Sequence, residues 1–412
     1  MRFLYTLGLR LALPLILLRL WWRGRREPGY RGGVTERLGI YSLQAPEKLL
    51  WIHAVSVGEA RAAEPLARAL RHAHPDHELL FTCTTAAGRD TLRRVFGESA
   101  LVCYLPYDFP ESVQGFLGHF KPRLAVLMET EIWPNLLEGC AAAGVPVLLA
   151  NARLSEKSAR RYRRFRRLAA PAFRRLSLAC AQSADDAARL RELGAGAVEV
   201  TGNLKFDIEP DAAQLAAGRA WRARLNRPVL LLASTREGEE ALLLERIGEI
   251  AALVIVVPRH PQRFDEVAKW AQARRSRDGF PDFDTRVYLG DTMGEMAFYF
   301  AAADVAVIGG SFLPLGGQNL IESLAAGTPV VVGPHMFNFS EATALALEAG
   351  AAIQASDPRA AMASASALLA DEKRRRAMAE AGKKFCEAHR GAAQRQLAVC
   401  LEVLGSKDPE PD

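Results

Sequence analysis

The sequence has no CxxC pair. Its six cysteines (Cys83, Cys103, Cys140, Cys180, Cys386 and Cys400) are scattered, which argues against a zinc ribbon and offers no disulfide framework. Free thiols in a reducing compartment are expected. A GxGxxG fingerprint is also missing, which disfavours a dinucleotide cofactor. Short-period repeats and low-complexity tracts are absent, so solenoids and long disordered arms are not indicated. Charge of either sign is not in large excess. The net charge is +6 over 412 residues, which favours anionic partners without choosing among nucleotide, phospholipid and nucleic acid. Half of the residues are apolar and 24% are charged, the balance of a globular protein with room for two domains.

Long hydrophobic runs are scarce except at the start. "FLYTLGLRLALPLILLRLWW" spans Phe3 to Trp22, long enough to cross a bilayer. Arg10 near its centre would cost about 2.5–3.5 kcal/mol on insertion scales, and Pro14 weakens the helix. Paired tryptophans and "RGRR" follow, as at a membrane interface, and no small-residue cleavage site does. An uncleaved anchor over residues 1–26, inserted or lying in the interface, is expected, with the basic flank holding the body on the cytoplasmic side. A buried first helix is the plainer alternative.

Short apolar, β-branched runs then alternate with helical stretches. In the first half they fall at 49–56, 79–85, 101–105, 123–129, 145–150, 176–182 and 197–201. In the second they fall at 228–234, 252–258, 286–289, 303–309 and 328–333. This is the pattern of parallel sheets covered on both faces. It stalls at 211–226, which reads as one linking helix. Two Rossmann-like domains, 27–210 and 227–404, are expected to face a cleft, with ligands beyond the carboxyl ends of the strands. The tail 405–412, "GSKDPEPD", reads as disordered.

Residues suited to chemistry cluster at the predicted strand ends. "HAVSVGEA" turns from strand to helix with one glycine, Gly58, and then an acid, Glu59. "LMETEIWPNLL" sets Glu129 at a strand end and Glu131 at a helix start, and "TGNLKFD" sets Lys205 before the domain junction. Each is also an ordinary capping or surface residue. In the second half, "LLLASTREGEE" brings Ser234, Thr235 and Arg236 to a strand end, and "VVPRHPQRF" brings Arg259 and His260. Arg259 would hold a phosphate and His260 would hydrogen-bond it; a solvated loop is the alternative. "IGGSFLPLGGQNLIESL" is a glycine-rich strand–loop–helix in which Asn319 and Glu322 stand three apart. That spacing fits ribose contact or a simple capping pair. Two further clusters are weaker. His72, His74 and His77 flank Pro75 in "RHAHPDH" and read as an exposed turn. Eight arginines between Arg160 and Arg175 interleave with Tyr162, Phe165, Leu168, Ala172 and Leu176, with Pro171 as a possible break. They suit an anionic membrane surface or a solvated helix face equally.

Taken in order, "HAVSVGEA", "YLPYDFP", "METEIWPNLL", "NARLSEKSARRY", "TGNLKFD", "PRHPQRF", "GDTMGE", "GGQNLIE" and "GPHMFNF" resemble the Kdo (3-deoxy-D-manno-octulosonic acid) transferases of Gram-negative lipopolysaccharide synthesis. The likeness covers nearly the whole chain, including "RGRREPGYRGGVTERLG" after the anchor. It implies an α/β GT-B glycosyltransferase fold, with an acceptor-binding first domain and a CMP-Kdo-binding second domain. It also implies inverting transfer of Kdo from CMP-Kdo to lipid IVA on the cytoplasmic face of the inner membrane. No cofactor, no catalytic metal and no nucleic-acid partner are expected. The family's general base falls on Glu59, and its transition-state-stabilising positions fall on Glu129 and Lys205. Its CMP contacts fall on Arg259 and His260, on Met293, Gly294 and Glu295, and on Asn319, Leu320, Ile321 and Glu322. Members often read "GGHNPLE" where this chain has "GGQNLIE"; Asn and Glu are kept. Two other readings stay open on the residues alone. One is a GT-B enzyme using a UDP-sugar. The other is a membrane-surface protein binding nucleotide or RNA without catalysis.

Overall fold

The computed structural model describes residues 1–25, 27–248 and 250–405. They form two compact units, one of residues 1–208 with the C-terminal segment from Arg390, the other Glu209–His389. Each is built on a seven-stranded, all-parallel sheet. In the first unit the strands are β1 (Leu49–His53), β2 (Glu78–Cys83), β3 (Leu101–Tyr104), β4 (Leu124–Met128), β5 (Val147–Ala152), β6 (Leu178–Ala181) and β7 (Val198–Val200). In the second they are β8 (Val229–Thr235), β9 (Leu253–Pro258), β10 (Ala273–Arg274), β11 (Val287–Leu289), β12 (Val305–Ile308), β13 (Val330–Val332) and β14 (Ala352–Gln354). β10 and β14 escape the sequence reading, because two- and three-residue edge strands are too short to show a pattern.

The strand order is β3-β2-β1-β4-β5-β6-β7 in the first unit and β10-β11-β9-β8-β12-β13-β14 in the second. Each chain run starts in the middle, fills one side and then restarts on the other side of its first strand; in the second unit it reaches the edge as β10 before returning to β11. The reversal lies between β1 and β4, and again between β8 and β12. At such a point neighbouring loops diverge and leave a crevice at the strands' carboxyl ends. Central strands are buried along their whole length, Leu49–His53 and Leu124–Met128 among them. This explains why they read as continuous apolar runs rather than as alternation.

Three domain boundaries differ from expectation. The helix Ala212–Arg222 is part of the second unit. Gly218 lets it lie so close to the helix Met296–Ala302 that an added Cβ would meet the Phe298 carbonyl oxygen at 2.3 Å. Trp221 stacks on Phe298, with ring centroids 5.4 Å apart, and Arg222 pairs with Asp304 at 2.9 Å. The C-terminal helix Ala392–Gly405 instead returns to the first unit. The Asp207 carboxylate accepts from the backbone N–H groups of Gly391 and Ala393, both at 2.6 Å. Gln396, wholly buried, accepts from the Asn151 N–H at 3.1 Å and donates to Thr201 Oγ1 at 3.1 Å. Buried polar groups need such partners, so these contacts dictate where the helix docks. Of the tail expected to be disordered, Gly405 closes this helix, and residues 406–412 lie outside the described residues.

The N-terminal run is a helix, Arg2–Arg23, that continues through Pro14 and by length and composition is able to cross a membrane. It is not a free-standing anchor. Arg2 pairs with Glu138 at 2.9 Å, Arg10 pairs with Glu111 at 3.0 Å, and Thr6 accepts from Asn135 Nδ2 at 3.0 Å. One face, including Leu9, Ile16 and Leu20, turns to the body. Leu4, Leu7, Leu11, Leu15 and Leu18 on the other face are exposed.

Asp207→Ala is expected to loosen the C-terminal helix without unfolding the rest. Losing an acceptor shared by two N–H groups costs about 1–3 kcal/mol. Amide hydrogen exchange across 392–405 should therefore quicken by roughly ten- to a hundredfold, while β1 and β4 keep their protection.

Candidate active site

In the first unit the turn after β1 is closed by a carboxylate. Ser56 caps the helix Val57–Ala73, and its Oγ accepts from the Glu59 N–H at 3.4 Å. Glu59 reaches back: Oε2 accepts from the Val55 N–H at 2.8 Å and Oε1 from the Ser56 hydroxyl at 3.0 Å. This is a variant of the capping box, with the return bond made one residue earlier. It fixes the Glu59 side chain at the β1/β4 reversal. Across the reversal, Glu129 follows β4 with φ of 56°, a left-handed conformation uncommon outside glycine. Its carboxylate takes a 3.2 Å hydrogen bond from Lys205 Nζ. Lys205 lies in the short 3-10 turn Leu204–Asp207. The sequence-predicted trio Glu59, Glu129 and Lys205 therefore converges within one unit.

Two neighbours join it: Glu131, which the sequence reading sets beside Glu129 without a role, and His53, which it does not single out. Glu131 Oε2 accepts from Trp133 Nε1 at 2.7 Å. His53, the wholly buried last residue of β1, bonds through Nδ1 to Thr82 Oγ1 at 2.8 Å and to the Thr82 carbonyl at 3.0 Å. Its Nε2 lies 3.9 Å from Glu131 Oε2. Burial lowers the His53 pKa to about 4, so the ring is neutral. Its place beside Val55 and Glu59 in "HAVSVGEA" is the available signal.

The electrostatics of Glu59 depart from expectation. A helix-start position favours the ionised form. Here burial, and then the facing Glu129 carboxylate, push the pKa up to about 8; Glu131 adds to this, while the Val55 and Ser56 hydrogen bonds oppose it. Desolvation and like charge outweigh the helix terminus. Burial and Glu129 also raise the pKa of Glu131.

The second unit gathers cations at the ends of β8 and β9. Ser234 has φ of 56°, and the Arg259 N–H donates to the Thr235 carbonyl at 2.9 Å. His260 is surrounded by Arg236, Arg259 and Arg263; burial first, and then these three charges, lower its pKa. Arg236, Arg259 and His260 are thus brought together as expected; Arg263 stands beside them but is paired with Glu240 at 2.5 Å and with Glu266 at 3.1 Å. Such a basin suits a phosphate or carboxylate. It is braced by Glu239, wholly buried and unassigned by the sequence reading. Glu239 Oε2 accepts from the N–H groups of Arg236 at 2.9 Å and Gly310 at 2.5 Å, and Oε1 from Phe312 N–H at 2.9 Å. Gly309 lets the β12 loop lie against β8, since an added Cβ would meet Thr235 Cα at 2.5 Å.

The remaining residues expected at the donor site fare unevenly. Asn319 Oδ1 accepts from the Ile321 N–H at 3.1 Å, and its Nδ2 donates to Glu322 Oε1 at 3.0 Å. Asn319 stands one residue before Leu320, the N-cap of the short helix Ile321–Ala326, so the pair closes the turn that leads into the helix rather than forming an N-cap and N3 pair. Leu320 and Ile321 are buried in the core, so only their backbone groups are available to a ligand. Gly294 has φ of 89° and Met293 is exposed. Glu295 is held by Arg275 at 3.1 Å and by the Thr292 hydroxyl.

Three other clusters lie elsewhere. His74, Asp76 and His77 bring three possible ligand atoms within 4.8 Å, but on the turn before β2, where Asp76 is paired with Lys48 at 2.6 Å. Asp282 and Asp284 have no assignment from the sequence reading. They fall in the turn before β11, at an amino end, and Phe283 between them is exposed. The basic segment forms two helices that break at Phe165, with Pro171 accommodated inside the second. Arg163 pairs with Glu156 and Glu192, and Arg175 with Glu138, so part of its charge is neutralised locally.

Comparison with known proteins decides the family. Residues 32–208 match the model of the 3-deoxy-D-manno-octulosonic-acid transferase (kdotransferase) N-terminal region, and residues 266–385 match glycosyl transferases group 1. A 3-deoxy-D-manno-octulosonic acid transferase of Bordetella pertussis is 46% identical over 98% of this chain and 100% of its own length. The chain belongs to the 3-deoxy-D-manno-octulosonic acid transferase family. The Haemophilus influenzae transferase is 35% identical over 98% of this chain and 99% of its own. Among solved structures, UDP-GlcNAc 2-epimerase from Neisseria meningitidis bound to UDP-GlcNAc superposes with a TM-score of 0.57 at 16% identity, over 86% of this chain and 100% of that one. That likeness is one of fold. This Kdo-transferase family member is a GT-B-type α/β glycosyltransferase, as its motifs implied.

Replacing Glu129 by Gln removes a like charge facing Glu59, so the Glu59 carboxyl should titrate below about 8. Carboxyl-carbon NMR of glutamate-labelled protein reads this directly. An unchanged midpoint would show that burial alone sets the value.

Proposed function

We propose that the chain transfers Kdo from CMP-Kdo to the lipid A precursor lipid IVA, with inversion and without a catalytic metal, at the cytoplasmic face of the inner membrane. The observation that carries this is the Glu59 carboxylate, held by Val55 and Ser56 at the β1/β4 reversal in a chain of this family. A sugar hydroxyl is a weak nucleophile and must lose its proton as the new bond forms. Glu59 accepts that proton while the hydroxyl oxygen bonds to the anomeric carbon of Kdo. The bond from that carbon to the CMP phosphate breaks, and its electron pair leaves on the phosphate oxygen. A base pushed up to about 8 is a stronger proton acceptor than an ordinary carboxylate and carries its proton below that pH. Turnover should therefore rise with pH up to about 8. Lys205, paired with Glu129, supplies positive charge beside the reacting groups. Arg236, Arg259, His260 and Arg263, grouped in the second unit, suit the anionic CMP, and Asn319 and Glu322 are polar groups within reach of a ribose on the β12 side. Arg236 and Arg259 offer the charge that a metal would otherwise bring to the departing phosphate. The exposed apolar face of the N-terminal helix supports membrane attachment.

The direct test is to incubate the full chain with lipid IVA and CMP-Kdo and weigh the lipid product. One or more added Kdo masses and release of CMP are expected, with EDTA making no difference. UDP-sugars in place of CMP-Kdo should give no product. Transfer from a UDP-sugar, or loss of activity on chelation restored by a divalent ion, would overturn the respective part.

Glu59→Gln keeps size and removes the proton acceptor. Single-turnover transfer should slow by roughly 10²–10⁴-fold, with CMP-Kdo binding by calorimetry nearly unchanged. Near-normal transfer would reduce Glu59 to a helix cap.

A further inference from the structure

Beside the carboxylates of the first unit lies a cavity of about 430 Å³, within the size range of ligand pockets. One wall is the inner face of the N-terminal helix, through Leu9, Ile16 and Leu20, with Arg19 and Arg23 also lining it. The opposite side includes Val55, Glu131 and Trp133. Val55 is the residue whose N–H holds Glu59 Oε2, so the cavity runs from the N-terminal helix to a residue that holds the proposed proton acceptor.

The cavity contains a cation placed for a ligand. Arg37 is only 3% exposed. It stacks on the Tyr104 ring at 3.8 Å and donates from Nη2 to the Thr84 carbonyl at 3.0 Å, yet its Nε has no hydrogen-bond partner. The Tyr107 hydroxyl, on another residue lining the same cavity, lies beside the Arg37 guanidinium. Among the described residues no carboxylate pairs with Arg19, Arg23 or Arg37. The acids that line the cavity are engaged elsewhere: Asp108 accepts from the N–H groups of Asn135 and Leu136, and Glu131 from Trp133. A buried guanidinium with an idle donor is costly unless an anion completes it. The apolar wall excludes a simple inorganic ion as the whole occupant.

We propose that this cavity binds the lipid acceptor: an acyl chain lies against Leu9, Ile16 and Leu20, and a phosphate of the headgroup is held by Arg37, with Arg19 and Arg23 assisting. The inference rests on the reading of the protein as a transferase acting on a phosphorylated lipid, and it makes the N-terminal helix part of the substrate site rather than an anchor alone. The helix is apolar on both faces for two reasons. The outer stripe, Leu4, Leu7, Leu11, Leu15 and Leu18, is exposed to face bilayer lipid, and the inner stripe faces acyl chain. An acceptor then passes from membrane to site along one helix without entering water.

The test uses full-length protein in detergent micelles, where membrane attachment no longer limits encounter, with lipid IVA and CMP-Kdo. Ile16→Trp narrows the cavity from an apolar wall. It should raise the acceptor KM at least tenfold and leave the donor KM unchanged. Leu15→Trp, one residue away on the outer face, should change neither. Wild type should lose about tenfold or more in kcat/KM when an acceptor phosphate is removed, and Arg37→Gln should no longer distinguish the two acceptors. Ile16→Trp keeps the test independent of how well Arg37→Gln folds. An acceptor KM within twofold of wild type for Ile16→Trp, or phosphate discrimination kept by Arg37→Gln, would overturn the assignment. Competition by phosphatidylglycerol at acceptor-like concentrations would give the cavity to bulk lipid and also overturn it. Failure of wild type to transfer Kdo to any lipid would instead remove the underlying reading and this inference with it.

Discussion

The ion pair between Lys205 and Glu129 is the contact on which the first unit's site depends. It sets a cation beside a group of carboxylates that would otherwise repel one another in a poorly solvated turn. Its position is decided far along the chain. Lys205 sits in the turn Leu204–Asp207, whose Asp207 caps the C-terminal helix. The Leu204 N–H donates to Asn151 Oδ1, and the Asn151 N–H donates to Gln396. A helix more than 180 residues later in the chain thereby fixes the lysine that balances Glu129. The charge state of Glu59 is thus a property of the whole unit, because burial and like charge outweigh its local helix-start position.

Both units use the same device at their reversal points. A non-glycine residue is turned into the left-handed region at a strand's carboxyl end, Glu129 after β4 and Ser234 in β8. Such conformations cost of order 1–3 kcal/mol and persist only where the surroundings enforce them. In the first unit the enforcing contacts include Lys205 and the Glu129 N–H bond to the Ala150 carbonyl. In the second, the buried Glu239 carboxylate ties the β8 turn to the β12 loop through three backbone N–H groups. One unit arrives at a half-buried acidic group suited to taking a proton. The other arrives at a cationic basin suited to an anion. The contrast comes from the side chains hung on the strand ends, since the parallel-sheet frame is shared.

The N-terminal helix turns one apolar face to the body and leaves another exposed. Its polar ties at Arg2, Thr6 and Arg10 are spread along the first half of the helix and hold it against the body. Arg10 costs little in this setting because Glu111 meets it with both oxygens. In a bare bilayer span the same residue is expensive. A residue's cost depends on its partner, and here the partner lies 101 positions away.

Much of this protein is legible in its sequence. Strand positions follow from apolar runs, because a parallel strand buried on both faces must be apolar throughout. Glu59, Glu129, Arg236 and Arg259 stand out because chemistry in such sheets gathers where strands end, and the order of the motifs names the family. Local sequence also determines the Ser56–Glu59 cap and the Asn319–Glu322 pair, since each is a contact across three residues. Only the tertiary structure decides the rest. His53, Glu239 and Arg37 matter through burial and through partners distant in sequence, and burial has no local signal for a polar side chain. Leu320 and Ile321 stand within a stretch that family resemblance assigns to CMP, yet packing turns their side chains into the core. The linking helix goes to the second unit because Gly218 admits a close neighbour. The last helix goes to the first because Asp207 and Gln396 offer it partners. Secondary structure is written in periodicity within a few residues; the protonation of Glu59 is written in distances between residues that the chain itself keeps far apart.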